Sequence, residues 1–403
     1  MHILVLHQFY TTDAEAGIPR FNILAKRWRE RGAEVTVLSG SVNYITGVRR
    51  KTKGLFSKEI DEKNDARIMR VFSTTFGLGY RTFLGRMASY ISFFIFALFS
   101  SFFLPRLDLV IASSPPISIG FLGWCVSFFR RAPFVFEVRD LWPDEIVELG
   151  YIKNSVLIGA THVLEHFLYA RARRIIVNSP GLKEYLITKK SVDAEKIGVV
   201  VNPVEKGVAE REESSLIAWG KKNVIYTGAH SLVYDFDILL DAAKNLPEIT
   251  FILVGDGRQK PELLKRVEHE NIVNVHFYPS VPRAEVPRIV ARADAGVIPL
   301  GHMKLLSYIY ASKTFDYMAA GKPIVFMGEG INAALIRDEA RCGVCISPGD
   351  REGLEKALIS VLSGSEDSKA MGERGKRYLE EHFSAEKLGD EYLAFLEKTV
   401  HLG

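Results

Sequence analysis

Between Ser312 and Val325 the chain reads Ser-Lys-Thr-Phe-Asp-Tyr-Met-Ala-Ala-Gly-Lys-Pro-Ile-Val. The spacing of Phe315, Met318 and Ala319 predicts a short helix from Lys313 to Ala320, a stop at Gly321, and a strand opened by Pro323. With one face buried, Ser312, Lys313 and Asp316 gather at the N-terminal end. Unpaired backbone N–H groups and the helix dipole favour an anion there. A lysine at a helix start suits a phosphate, and a carboxylate one turn later can accept from a pair of sugar hydroxyls. The same residues also describe an ordinary capped helix of an α/β domain.

Further groups of residues follow predicted strands at their carboxyl ends, where ligands of parallel sheets sit. Ser113-Ser114-Pro115-Pro116 is a rigid loop after one strand, and Arg139-Asp140-Leu141-Trp142-Pro143-Asp144 follows the next. A tryptophan beside carboxylates suits a sugar, whose apolar ring face stacks on an aromatic while its hydroxyls seek acceptors. Trp142 as core and Arg139–Asp140 as a local ion pair is the alternative. Gly17 and Arg20, at the start of the first helix, fall on the same binding side. In the second half, Gly228 ends a strand and permits close backbone approach, and Ile252–Gly257 runs into a turn at Arg258.

These loops need a scaffold, and 403 residues with 47% hydrophobic and 25% charged residues suffice for two folded domains. Strand and helix signals alternate, which predicts a mostly parallel α/β sheet. The expected strands are Ile3–Leu6, Glu34–Leu38, Arg67–Phe72, Leu107–Ala112, Phe134–Val138, Arg174–Asn178 and Gly198–Val201, with a sheet pattern restarting at Asn223. We place a first domain at 1–204 with a final helix, 385–403, crossing back to it. A linker at 205–222 and a second domain at 223–384 complete the plan. Closing helices are expected at about Lys369–His382 and Ala385–Val400.

Charge is uneven: the first 205 residues carry a net +8 and the remainder −4. A basic half points to nucleic acid, an anionic membrane or an anionic substrate, and the loops above favour the last two over nucleic acid. The three cysteines suit a reducing compartment, and Cys342 and Cys345 lack the second pair that a zinc site needs. The N-terminus reads as a strand, not a signal peptide. A G-x-G-x-x-G fingerprint is missing, which argues against a nicotinamide oxidoreductase. His162-Val163-Leu164-Glu165-His166 imitates a zinc-peptidase pattern, and Asp235-Phe236-Asp237 imitates a metal-binding D-x-D. The first is expected to be an ordinary helix and the second a helix cap. No metal or other cofactor is expected.

Met87 to Leu104 is an eighteen-residue run without a formal charge. Its length meets the transmembrane threshold. A span is rejected because a sheet strand follows directly. What remains open is a helix buried on one side, with aromatics turned to a membrane or another subunit, or a wholly buried core helix. Tyr44–Asn64, with Arg49-Arg50-Lys51-Thr52-Lys53, is either a solvated excursion or a flap touching phospholipid head groups or a lipid-linked acceptor.

Taken together, Ser-Pro-Pro at 114–116, Glu-Val-Arg-Asp-Leu-Trp-Pro at 137–143 and Ser312–Pro323 resemble family-four retaining glycosyltransferases. The branch is that of bacterial O-antigen and capsule enzymes similar to N-acetylfucosamine transferases. The resemblance implies the GT-B architecture, two Rossmann-like domains facing a central cleft. It implies a nucleotide-sugar donor, a glycolipid or polyprenyl-diphosphate-linked acceptor, and work at the cytoplasmic face of a membrane, with a homo-oligomer compatible. Donor contacts then fall to Gly228, His230, Arg258, Ser312, Lys313 and Asp316, and acceptor contacts to Gly17, Arg20, Ser114, Arg139 and Trp142. Asp140 and Lys313 are the catalytic candidates. Two departures stand out: Ala311 replaces a proline, and Asp316 replaces the glutamate that holds ribose. Tyr308, eight residues upstream of Asp316, occupies the place of a second family glutamate. A sugar-nucleotide epimerase on this fold and a non-catalytic nucleotide-sugar-binding subunit are the other readings.

Overall fold

The computed structural model describes residues 1–11, 20–43, 49–50, 56–61, 66–80, 82–150, 152–204 and 217–401, with side chains at 56–61 and 66 left aside. The expectations for Gly17, Lys51–Lys53 and most of the linker therefore lie outside the described residues. The chain divides into two compact units. One comprises Met1–Thr12, Ile18–Pro203 and Ala385–Gly403, and the other contains Val204–Ser384.

The first unit is built on strands β1 (His2–Leu6), β2 (Glu34–Gly40), β3 (Phe56–Asp61), β4 (Ala66–Val71), β5 (Leu109–Ser113), β6 (Phe134–Val138), β7 (Arg174–Val177) and β8 (Ile197–Val199). They form one eight-stranded sheet in the order β3-β4-β2-β1-β5-β6-β7-β8. All neighbours are parallel except β3, which pairs antiparallel with β4 from Phe56↔Val71 to Asp61↔Ala66. This edge strand lies inside the predicted excursion and was not expected. β1, β5 and β6 are buried at every position, as continuous apolar runs covered on both faces must be.

The second unit stacks β9 (Lys222–Thr227), β10 (Ile249–Val254), β11 (Val275–Tyr278), β12 (Ala295–Pro299), β13 (Ile324–Met327) and β14 (Gly343–Ile346). Their order is β11-β10-β9-β12-β13-β14, and all pairs are parallel. Strand order reverses between β9 and β12, which makes their carboxyl ends the topological switch point. Local capping follows the sequence. Asp235 Oδ1 accepts from Ile238 N at 3.1 Å, so the D-x-D look-alike is a helix cap.

The apolar run of the first unit is a helix, Phe83–Ser101, started by Thr82, whose hydroxyl accepts from Gly85 N. Phe93 and Ala97 face the core, while Ile91, Ile95, Phe99 and Phe103 are 60, 56, 49 and 64% exposed. It is buried on one side only, not wholly. By length and composition it could cross a membrane. In this fold it packs on β2, β4 and the helix Ser118–Arg130, and β4 and β5 on either side of it in sequence belong to one sheet.

Candidate functional site

In the second unit the helix Ser312–Ala319 is fixed at the switch point by Tyr317. The buried phenol accepts from Thr227 N at 3.1 Å and lies 3.2 Å from the Ile225 carbonyl, both on β9. A Cβ at Gly296 on β12 would stand 2.2 Å from the Tyr317 ring, so only glycine admits this packing. The turn entering the helix is held by Asn332, fully buried, which sequence reasoning missed. Its Oδ1 accepts from Ala311 N at 2.9 Å, and its Nδ2 donates to the Ile309 carbonyl at 2.6 Å. Asn332 supplies the rigidity that a proline at 311 would bring.

The helix carries Lys313 into the interior at 5% exposure. Its Nζ donates to Tyr234 Oη at 2.5 Å and sits 4.0 Å over the Tyr234 ring and 4.9 Å over that of Tyr226. Phenol rings attract a cation through their quadrupole but do not cancel its charge. No carboxylate pairs with Lys313 among the described residues. Gly228, at φ +130°, bends the chain so that a Cβ there would stand 3.6 Å from the ammonium. A Cβ at Gly255 would lie 1.9 Å from the Gly228 carbonyl, so the two loops approach this closely only because residue 255 is glycine. Ser312 is half-buried beside Lys313, and Arg258 is exposed in the adjoining turn.

His230 is fully buried between Phe236, Phe277 and Tyr226, with ring centroids at 5.0, 5.7 and 5.7 Å. Neither ring nitrogen has a hydrogen-bond partner. Burial, then the Lys260 charge, pushes its pKa down to about 4, so the ring is neutral at pH 7. Asp316 is held by an ion pair with Arg283. Both of its oxygens accept from Arg283, Oδ2 from one terminal nitrogen at 2.8 Å and Oδ1 from the other. Each oxygen keeps a second lone pair for a hydroxyl, and Arg283 sets the carboxylate's orientation.

In the first unit Arg20 is not a ligand-facing residue, which corrects the sequence expectation. Its side chain is fully buried, paired with Glu137 at 2.9 Å, and donates to the Val200 and Val201 carbonyls at 2.8 and 2.9 Å. Those carbonyls are drawn to the guanidinium, which is why β8 ends at Val199. Ser114 also turns inward: its hydroxyl donates to the Glu137 carbonyl at 3.2 Å and the residue is 3% exposed. Ser113 donates to Glu137 Oε2 at 2.6 Å, and Tyr392, from the closing helix Ala385–His401, to Oε1 at 3.3 Å.

Arg139 and Asp140 follow β6 at half-buried positions, with Trp142. An Arg139 terminal nitrogen lies 3.2 Å from His7 Nε2. Burial raises the Asp140 pKa, opposed by the Arg139 charge. Glu145, in the first turn of the next short helix, was not singled out by sequence. Burial, then the charges of Asp140 and Glu148, raises its pKa from 4.5 to about 8. A carboxyl raised in this way binds a proton that the unfolded chain has released. Its stabilising contribution is complete below pH 4.5 and is lost as pH rises through about 8. Glu145→Gln should therefore melt higher than wild type at pH 8.5, with the gap shrinking toward pH 5 in scanning calorimetry. Parallel midpoints across that range would remove Glu145 from this account.

The peptidase look-alike resolves into an ion-pair network. Glu165 accepts from Lys190 at 2.8 Å and from Tyr169 at 3.0 Å, His162 lies beside it, and His166 is exposed. Among the described residues no cluster of His, Cys, Asp and Glu could hold a metal ion.

Known proteins resemble both units. A family model described as glycosyl transferases group 1 matches residues 208–378, and one described as a glycosyl transferase 4-like domain matches residues 18–203. The O-antigen chain mannosyltransferase C of Escherichia coli is 22% identical over 60% of this chain and 65% of that protein. A putative teichuronic acid biosynthesis glycosyltransferase of Bacillus subtilis, TuaH, is 24% identical over 49% of this chain and 51% of its own. The chain thus spans about half to two thirds of the length of these relatives. Among solved structures, HepE of Anabaena, in complex with UDP and glucose, has a TM-score of 0.73 at 18% identity, covering 99% of this chain and 100% of that one. Sucrose-phosphate synthase of Thermosynechococcus elongatus has a TM-score of 0.78 at 14% identity over the full length of both. These likenesses establish the fold: two parallel-sheet Rossmann-like domains of the GT-B kind.

Proposed function

We propose that this chain, which matches the glycosyl transferases group 1 model over 208–378 and the glycosyl transferase 4-like model over 18–203, moves a sugar from a nucleoside diphosphate donor, UDP-linked, to a lipid-linked or polysaccharide acceptor in surface-glycan synthesis. The observation that carries this reading is the buried ammonium of Lys313, without a counter-charge among the described residues, beside Gly228 at the switch point. When the bond from C1 to the diphosphate breaks, negative charge grows on the leaving oxygen. A preorganised cation in a low-dielectric site stabilises that charge more than it stabilises the substrate.

The acceptor hydroxyl attacks C1 from the face that the diphosphate leaves, and its proton passes to a diphosphate oxygen, so the configuration is retained. This route needs neither a protein nucleophile nor a metal. Asp316, oriented by Arg283, accepts from the ribose hydroxyls, while His230, Ser312 and Arg258 border the diphosphate. Arg139, Asp140 and Trp142 receive the acceptor or the transferred sugar. The motifs at 114–116, 137–143 and 312–323 favour an N-acetylated hexosamine or deoxyhexosamine as that sugar.

The exposed aromatics of Phe83–Ser101, with Phe128 and Phe129 at 68 and 56% exposure, support docking to the cytoplasmic face of a membrane. The basic charge of the first 205 residues suits anionic lipid. Replacing Phe99, Phe128 and Phe129 together by serine should lower co-flotation with anionic liposomes on the order of tenfold or more. Equal flotation of variant and wild type would remove the membrane from the reading. The activity itself is tested by nucleoside diphosphate release from UDP-sugars. Release that requires a lipid-diphosphate acceptor supports transfer, whereas an epimerised free sugar formed without acceptor overturns it.

A further inference from the structure

The segment leaving β6 carries Arg139, Asp140, Trp142 and Glu145 on a tight turn. Trp142 N donates to the Asp140 carbonyl at 2.9 Å, and Glu145 N to that of Leu141 at 2.8 Å. Leu141 and Ile146, 1 and 8% exposed, root the turn in the core. Between them Asp144 is held by side chains of two other helices. From Pro180–Lys190, the Lys190 ammonium stands 2.5 Å from Asp144 Oδ2, and Tyr185 Oη donates to the same oxygen at 2.9 Å. From Ser155–Arg171, His162 Nε2 lies 3.6 Å from Asp144 Oδ1.

Lys190 does not serve Asp144 alone. Its ammonium also donates to Glu165 Oε2 at 2.8 Å, and Glu165 Oε1 accepts from Tyr169 Oη at 3.0 Å. His162 Nδ1 lies 3.2 Å from Glu165 Oε2. The side chains of Lys190, Asp144 and Glu165 are 14, 19 and 4% exposed, so two carboxylates share one ammonium largely away from water. Desolvation of such charges cancels much of their attraction, and the network adds little net stability over apolar packing. What it adds is direction. Apolar burial is non-directional, whereas a carboxylate between an ammonium and a phenol has one preferred position.

We propose that Lys190 and Tyr185, acting through Asp144, are positioning residues that hold the turn 139–145 in the orientation that sugar transfer needs. This role rests on the reading of Arg139, Asp140 and Trp142 as contacts of the acceptor or the transferred sugar. Neither Lys190 nor Tyr185 touches a substrate in it. The demand on them is geometric, since a misplacement of about 1 Å in a reacting complex can cost on the order of 100-fold in rate. Tyr169 belongs to the same network, but its hydroxyl is bonded to Glu165 and not to Asp144. It therefore separates loss of the network's stability from loss of the turn's orientation.

The test compares Tyr185→Phe with Tyr169→Phe in the full chain, each losing one hydroxyl from the same network, and adds Lys190→Met and Lys190→Arg. Acceptor-dependent kcat should fall about tenfold in Tyr185→Phe and on the order of 100-fold in Lys190→Met. Lys190→Arg should recover most of that loss. Tyr169→Phe should keep wild-type kinetics even where its midpoint falls as far as that of Tyr185→Phe. Equal losses in the two phenylalanine variants, unchanged kinetics in Lys190→Met, or activity that follows the melting midpoint throughout would overturn the clamp. If wild type transfers nothing, the glycosyltransferase reading fails, and hydrogen exchange read by mass spectrometry decides the clamp separately. The amides of Glu145, Val147 and Leu149 are bonded to carbonyls of the same segment. Exchange there about tenfold faster in Lys190→Met and Tyr185→Phe, but not in Tyr169→Phe, supports the clamp, and equal exchange in every variant overturns it.

Discussion

Replacing Lys313 by methionine should lower kcat/KM for sugar transfer about 10²- to 10³-fold while leaving the second unit folded. That is the range found when one preorganised charge-stabilising group is removed from a site where negative charge develops. Methionine has nearly the length of the lysine stem, fills the space between Tyr226 and Tyr234, and does not bury a charge. Its midpoint should therefore be no lower than that of wild type. Because the ammonium acts on charge that grows during the reaction, kcat should fall along with donor affinity. A variant that loses ground-state affinity alone would place Lys313 in binding and not in catalysis.

Replacing Glu137 by alanine should destabilise the first unit by about 3–5 kcal/mol, the cost of leaving a buried cation without its partner. The fully buried Arg20 would keep its charge with carbonyls, an amide oxygen and the Tyr392 ring around it but no anion. Tyr392 and Ser113 would lose their shared acceptor in the same step. For a unit of this size the midpoint should fall on the order of 10 °C in calorimetry, with the second unit's transition unmoved. A shift of less than 2 °C or so would mean that Arg20 finds other compensation. The pair holds the first helix, the β5 and β6 loops, the chain leaving β8, and the closing helix around one carboxylate.

Much of the fold was legible because its strands are short apolar runs between turn residues, each followed by a helix of the right length. Phe134–Val138 was placed to the residue. β3 was not legible, since Phe-Ser-Lys-Glu-Ile-Asp reads as polar loop and becomes a strand only by pairing with β4. The helix near the C-terminus starts at Glu366, three residues before the expected Lys369, because Ser365 caps it by accepting from Ser368 N. Lys313 and Gly228 could be found by their types and their places at a helix start and a strand end. Arg20 misled for an instructive reason. It stands at the start of the first helix, Arg20–Glu30, but a carboxylate from β6 turned its side chain inward. Arg283 and Asn332 come from separate turns and short helices, so only the folded chain brings them to Asp316 and to the Ala311 amide.

Thermal unfolding of wild type and Lys313→Met against UDP, GDP, ADP, CMP, NAD and zinc shows whether Lys313 marks a donor site. A ligand at a hundred times its dissociation constant stabilises by about 2.7 kcal/mol, which is readily seen as a raised midpoint. The wild-type midpoint should rise with one nucleoside diphosphate, UDP, and that of Lys313→Met should not. A flat wild-type response to every diphosphate, or an equal rise in the variant, would contradict a donor site at Lys313.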